Sequence, residues 1–512
     1  MRVLFLQKYL SQEMLGICFL SAALERAGHE PAVLMVPDPK WEEKLLAARP
    51  DLIACSMTTG DHGFYLQLVA RAKELVDVPV VFGGPHPTFV PDIAREPGVD
   101  YVCRGEGEQA LVELADRLAA GEGVEEVPNL TYFRNGERVD NPLVPLIARL
   151  DDVGAPNREP LYAACDLYRR SERKVFLTQR GCLYNCSFCF HHSWRHKLYK
   201  AKGDHYLRKR SVDSVVAEID GVRRRHPLSF VHFVDDIFNV DDEWLEEFCR
   251  VYPKAVGIPF DVILRTNLTT AEHMRQLRSA GCISARLAFE SASDRIRNGV
   301  YRKGTTIADL KNSARFVKEQ GIRLTTLSLL GSPGATVEDE LATLELNVDC
   351  KVDHPLCSLL QPYPETDINE MTRDMGYAVD KLENFPNRFN RRSTIELDDR
   401  KTIENLHKLF PIAVRFPSLV PLVRRAIKVH GLSRVYLAMY LLWTEYLVCE
   451  QNRSYAVAMG HAGVKNLPLF DFLRRVSMKT RIKFSEALFG RRLAGARLRL
   501  EMETDTIAHT GG

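Results

Sequence analysis

Residues 181–189 read GCLYNCSFC and place three thiols, Cys182, Cys186 and Cys189, in a C-x3-C-x2-C spacing. Disulfides are disfavoured for such a triplet if the chain is cytosolic, where thiols stay reduced. A structural zinc site needs a fourth donor, and His191 or His192 is near enough in sequence to supply one. Three thiols can also be buried as small apolar groups without metal. A [4Fe–4S] cubane has four irons, which thiolates ordinarily ligate one each, so three cysteines leave one iron open. An open position is what separates a catalytic metal centre from a structural one.

The elements around the triplet have to position it. Strand-like runs KVFLTQ, FVHFVDD, FDVILRTN, SARLAFES, LTTLSLLG and LCSLLQPYP alternate with helical stretches between residues 172 and 385. About six strand-helix units suit a partial (β/α)6 TIM-type barrel of parallel strands, with the triplet after its first strand, at the carboxyl end where barrel sites are built. Upstream, to about residue 125, RVLFL, PAVLMV, DLIACSM, VPVVFGG and VDYVCRG alternate with amphipathic helices, which predicts a doubly wound, Rossmann-like α/β sheet. Ligands of such sheets sit beyond the carboxyl ends of the strands. The loops there, SMTTG, GGPHPT and RGEGE, are rich in small residues. LTYFRNGERV reads as a hairpin with an Asn-Gly turn, within a connector. The expected organisation is a sheet domain over 1–140, a linker over 141–170, the barrel over 171–387 and a mainly helical C-terminal domain over 388–512, whose helical stretch FPSLVPLVRRAIKVHGLSRVYLAMYLLWTEYLV should cover the barrel's open side.

The triplet in this setting resembles the signature of the radical SAM superfamily. The resemblance implies that the open iron binds S-adenosylmethionine, whose cleavage yields a 5′-deoxyadenosyl radical. It also implies that Phe188 packs near the adenine and that SAM is contacted by Asp235 and Asp236 in VDDIFN, by Glu290 and Ser291 in FESAS, by Ser328, and by Gly331 and Gly334 in LGSPGATVEDE. Ala292 and Glu365 depart from the family's usual residues in FESAS and PYPET. Residues 1–140 resemble the cobalamin-binding domain of one large radical SAM subfamily, through LGICFLSAALERAGHE, GGPHPT and GVDYVCRGEGEQALVEL. That implies corrin contacts at Ser56, Thr58, Thr59, Gly83, Gly84, Thr88, Gly105 and Glu106. The D-x-H-x-x-G hexapeptide that ligates cobalt is missing. His62, in GDHGFY, has the wrong spacing and reads as the start of a helix with Asp61 as N-cap. The resembled subfamily commonly lacks that histidine too and binds cobalamin base-off, so the resemblance implies base-off cobalamin with no histidine ligand, and His29 and His86 are read as hydrogen-bonded structural groups.

The two resemblances together imply a methyltransferase acting on an unactivated carbon, with an oxidative cyclase or ring-rearranging enzyme as the alternative and a non-catalytic corrinoid-binding protein as a remote one. The expected partners are a small-molecule substrate, lipid-like or a natural-product intermediate, and an electron donor such as flavodoxin or ferredoxin, with no nucleic acid.

Composition is that of a soluble globular chain of about three domains. VYLAMYLLWTEYLV is too short to span a bilayer and carries Glu445. MRVLFLQKYL reads as a first strand rather than a targeting peptide, which points to the cytoplasm. Charge is near neutral overall, yet residues 411–500 hold 16 Lys/Arg against 4 Asp/Glu. Interleaved with apolar residues, that basic end is a candidate for peripheral contact with anionic lipid.

Overall fold

A computed structural model describes residues 1–8, 13–201, 203–386 and 392–458. They divide into two compact units, one of residues 1–147 with 153–170, the other of 148–152 with 171 onward.

The first unit alternates β1 (Arg2–Lys8), α1 (Leu15–Arg26), β2 (Glu30–Val36), α2 (Trp41–Ala48), β3 (Leu52–Ser56), α3 (His62–Leu75), β4 (Val80–Gly83), α4 (Pro85–Phe89), β5 (Tyr101–Cys103) and α5 (Glu108–Ala120). The strand order is β2-β1-β3-β4-β5, all parallel. β1 is buried from Val3 to Lys8 because helices cover both faces of a parallel sheet, so its run is apolar rather than alternating. The chain leaves β1 toward β2 and returns to β3 on the other side, which puts the topological switch point at the carboxyl ends of β1 and β3. Asn135 and Gly136, both at positive φ, form the expected turn between β6 (Leu130–Arg134) and β7 (Glu137–Asp140).

Two expectations are corrected here. The hairpin is no connector: β6 pairs antiparallel with β5 and extends the sheet. Residues 141–170 are not simply a linker either, since α6 (Glu159–Ala164) and α7 (Asp166–Arg170) lie within them and α6 packs on β2 and α1. Arg158 and Tyr162 anchor this segment by donating to the buried carboxylate of Glu13, at 2.7 and 2.6 Å.

The second unit begins with β8 (Arg173–Phe176), the short β9 (Gln179–Arg180), α8 (Phe190–Ser193), α9 (Gly203–Tyr206) and β10 (Arg208–Lys209), then α10 (Val212–Arg225). It continues through β11 (Phe230–Phe233), α11 (Asp242–Ala255), β12 (Phe260–Leu264), α12 (Ala271–Ser279), β13 (Cys282–Glu290), α13 (Ile307–Glu319), β14 (Arg323–Leu330), α14 (Val337–Asp349) and β15 (His354–Leu359). The order β8-β11-β12-β13-β14-β15, parallel throughout, is a six-stranded half barrel with its helices outside. Most of those helices start on matched caps, and α13 and α14 each carry a full capping box, Thr306 with Asp309 and Thr336 with Asp339.

Helices α15 (Asp367–Asp374), α16 (Arg400–Arg415), α17 (Val420–Ala426) and α18 (Ser433–Ala458) follow. α16 packs on β15 and α14, and His407 Nε2 lies 3.0 Å from the Cys357 carbonyl oxygen of β15. It therefore fills the outer helix layer beside the last strand. The rest of the predicted C-terminal domain, 459–512, is outside the described residues.

Candidate functional site at the carboxyl ends of the strands

The cysteine loop is held by backbone geometry before any metal is considered. Gly181 sits at φ +95°, and a Cβ there would lie 2.2 Å from the Tyr206 carbonyl oxygen, so no other residue fits without moving the chain. Ser187 is fully buried; its Oγ donates to the Val300 carbonyl at 2.6 Å and its N–H to the Tyr301 carbonyl at 3.1 Å. Its own carbonyl accepts from the Ile368 N–H at 3.0 Å. The loop is pinned from two sides, and all three thiols lie within it. Burial, followed by the charges of Asp236 and the other thiols, raises the Cys189 thiol well above its ordinary value, and burial pushes Cys182 up to about 11. Thiolates crowded in this way need a cation, which a bound metal supplies as it displaces their protons.

The donor set decides between the metals. His191 places Nδ1 3.0 Å from the Tyr206 hydroxyl and Nε2 2.7 Å from Asp236 Oδ2. His192 places Nδ1 3.2 Å from Asn185 Oδ1 and Nε2 3.0 Å from Asp367 Oδ2. Both imidazoles are thus committed on both nitrogens, and among the described residues no three His, Cys, Asp or Glu side chains converge on a single-ion position. The Cys3His zinc alternative finds no site. Three thiols held by one loop fit a cubane, which takes one thiolate on each of three separate irons and so spreads the sulfurs farther apart than ligands that share one ion.

Around this loop Arg265, just after β12, and Lys303, beyond β13, bring in two cations not named from the sequence, one of them against the predicted Glu290. Lys303 donates to Glu290 Oε1 at 2.7 Å with both side chains buried, and its Nζ lies 5.8 Å from the centre of the Phe188 ring. Arg265 donates to the Lys303 carbonyl and stacks its guanidinium 3.2 Å over the ring of Tyr184, inside the cysteine loop. The signals were present, in the Arg of FDVILRTN and the Lys of RKGTT, but nothing in the chain marks them as neighbours. Glu290 has φ +59° at a register irregularity between Ala288 and Glu290. A non-glycine residue held there is strained, as residues at functional sites often are.

The remaining predicted SAM residues divide. Phe188 packs edge-on against Tyr301 at 5.3 Å beside Lys303, and Asp236 reaches the loop through His191. Asp235 does not line the pocket: it is fully buried, and its Oδ1 accepts from the Thr178 and Gln179 N–H groups at 2.7 and 2.8 Å, tying β8's end to β11's. Burial raises its carboxyl to about 7. Ser328 and Ser291 are corrected in the same way. Ser328 Oγ accepts from Asn347 of α14 at 3.4 Å, because alternation along β14 turns that position to the outer layer, and Ser291, just past the end of β13, has its Oγ 3.5 Å from Thr343 of the same helix. Gly331 and Gly334 both have positive φ, and the Gly331 N–H donates at 2.7 Å to Glu340 Oε1, whose burial pushes its carboxyl up to about 8.

In the first unit, the predicted corrin residues gather at the carboxyl ends of β3, β4 and β5. Gly84 has φ +93°, and a Cβ there would sit 2.8 Å from the Met57 carbonyl oxygen. Ser56, Thr58, Thr59, Gly83, Gly105 and Glu106 form a partly exposed rim of mainly small residues at these strand ends, beside the switch point where a broad, flat ring can seat. Thr88 is corrected: buried, it donates to the Gly84 carbonyl at 2.8 Å and accepts from the Gly105 N–H at 3.0 Å, joining two loops. His86 lies 3.0 Å from Thr59 Oγ1 and stacks on His62 at 4.4 Å, and burial lowers its pKa to about 3. This engagement fits a corrin held without a histidine ligand. α3 does begin at His62, but Asp61 does not cap it; its carboxylate pairs with Lys8 at 2.9 Å, at the switch point.

A family model of the B12 binding domain matches residues 2–115, and one of the radical SAM superfamily matches 176–346. The chain belongs to the cobalamin-dependent radical SAM enzymes. An uncharacterized methyltransferase of Pyrococcus horikoshii, PH0819, is 28% identical to this enzyme over 62% of the present chain and 68% of its own. The anaerobic magnesium-protoporphyrin IX monomethyl ester cyclase of Cereibacter sphaeroides is 26% identical over 71% of the chain, which spans only 61% of that relative. In fold, this radical SAM enzyme is similar to OxsB, a cobalamin-dependent S-adenosylmethionine radical enzyme solved with aqua-cobalamin and SAM, at TM-score 0.64 and 17% identity over 100% of this chain and 81% of that one.

Proposed function

We propose that this enzyme transfers a methyl group to an unactivated carbon of a small molecule. The observation that carries the reading is the cysteine loop: three thiols, with both adjacent imidazoles committed elsewhere, would hold a cubane by three corners and leave the fourth for SAM. When bound, the cluster and SAM supply hydrogen-atom abstraction and cobalamin supplies the methyl group.

The chain's own residues bind, orient and shield. Cys182, Cys186 and Cys189 would hold the cluster at the carboxyl end of β8, with the Arg265 guanidinium over Tyr184 of the same loop and the Lys303–Glu290 ion pair near Phe188 setting the charge around it. Phe188 and Tyr301 present an apolar edge that excludes water from the same place. Asp235 acts by position, keeping β8's end in register with β11. We place the enzyme in the reducing cytoplasm, where thiols remain available to iron and a flavodoxin or ferredoxin can deliver the electron.

The methyltransferase from Pyrococcus supports methyl transfer. The Cereibacter cyclase supports a second reading, radical-driven ring closure without methyl transfer. Anaerobically reconstituted enzyme, incubated with SAM, reductant and a small-molecule extract, separates them: a product heavier by one CH2 means methylation, and one lighter by hydrogens means cyclisation. Cys186→Ala should lose cluster iron and 5′-deoxyadenosine formation while retaining corrinoid. Full activity in that variant would overturn the assignment.

A further inference from the structure

Fifteen large apolar side chains are exposed among the described residues, and ten of them fall between Phe416 and Tyr446. The concentration has a geometric cause. α18 buries Tyr436, Tyr440 and Leu447 along the stripe that meets α16, a normal arrangement for a surface helix. A second stripe, Val435, Met439, Leu442 and Tyr446, follows the same helical spacing, yet its members are 52, 41, 53 and 39% exposed. Leu437 and Leu441 widen it, and Leu422 of α17, Val429 and Leu432 continue the surface. A helix apolar over most of its circumference is ordinarily buried on all sides. Phe416, Trp443 and Tyr446 cluster here as well, with ring centres 5.5 and 5.2 Å apart in succession.

Charge selects the occupant. Residues 411–447 hold five Lys/Arg and one acidic residue, Glu445. Arg424 is engaged with Glu338 and Glu345, while Arg415, Arg425, Lys428 and Arg434 have no carboxylate partner among the described residues. A second copy would bring this basic face against itself, because a two-fold contact uses the same patch on both subunits. The chain after residue 458 is no better matched, since 459–500 hold ten Lys/Arg against two Asp/Glu. An anionic bilayer surface offers both an apolar layer for the leucines and aromatics and negative headgroups for the cations. No helix among the described residues is long and apolar enough to cross a membrane, so the contact is with one interface.

We propose that the face formed by residues 416–446 docks this enzyme on an anionic lipid surface, α17 and α18 lying against the headgroups with the second stripe of α18 turned into the acyl boundary. The inference stands on this surface alone and does not depend on which reaction the site performs.

The test is co-sedimentation of the full-length holoenzyme with vesicles of phosphatidylcholine, with and without phosphatidylglycerol. Binding should require the anionic lipid and weaken as salt is raised. Arg425→Glu combined with Lys428→Glu should lower partitioning at least about 30-fold, at roughly fivefold per lost cation. Leu442→Glu should lower it as well while leaving the melting temperature unchanged, because that side chain is already in water. Equal sedimentation with neutral and anionic vesicles would overturn the proposal. So would a concentration-dependent dimer in sedimentation velocity that Leu442→Glu dissolves, since the face would then belong to a second copy.

Discussion

Replacing Lys303 with methionine removes one member of a buried ion pair and leaves the other in place. Nζ and Glu290 Oε1 are 2.7 Å apart, and the side chains keep 9 and 7% of their surface. At an effective dielectric of about 20 their attraction is roughly 6 kcal/mol. Part of that is offset by the cost of taking both charges out of water, so truncating one partner should cost about 3–5 kcal/mol, mostly as the penalty of an uncompensated carboxylate. For a unit of this size, each kcal/mol moves the melting temperature by about 2–4 °C, which predicts a loss on the order of 10 °C. Glu290→Gln alone should be destabilising for the converse reason, while the double variant should recover much of the loss because no bare charge remains. Thermal melts of the four anaerobically purified proteins, analysed as a double-mutant cycle, read this directly. If Lys303→Met melts with the wild type, or if the two single losses simply add in the double variant, the pair is not the coupled element described here.

Gly181→Ala should sharply reduce iron incorporation, measured by elemental analysis, because the new Cβ meets the Tyr206 carbonyl at 2.2 Å and the cysteine loop has to move. Gly84→Ala should destabilise the first unit by at least about 1–2 kcal/mol from its left-handed backbone alone, and more from the contact with the Met57 carbonyl, as read by denaturant melts. Glu340 is buried with its carboxyl raised to about 8 from an ordinary 4.5, so its neutral form is favoured in the fold. Its contribution is complete below about pH 4.5 and is lost as pH rises through about 8. Between those limits wild-type stability should decline relative to Glu340→Gln by up to about 1.4 kcal/mol per pH unit, and parallel pH profiles would refute this.

The chemistry of the centre was legible along the chain because its ligands are local. Cys182, Cys186 and Cys189 lie within one loop, and a run of residues that close reaches one cluster whatever the rest of the molecule does. The two sheets were legible for a related reason: parallel strands buried on both faces leave uninterrupted apolar runs, and the helices between them leave amphipathic ones. What the sequence did not disclose depends on which way a strand-end side chain turns and on what meets it from elsewhere. Asp235, Ser291, Ser328 and Thr88 sit at the expected strand ends and loops, but their polar atoms bind backbone groups or outer helices. The ion pair of Lys303 with Glu290, the guanidinium of Arg265 over Tyr184, and the placement of α16 on β15 join residues from different strand-helix units. Local spacing determines a metal ligand set, because its members share one short backbone. The charges and surfaces around that set came only with the tertiary fold, because chain separation says nothing about distance once the strands are laid side by side.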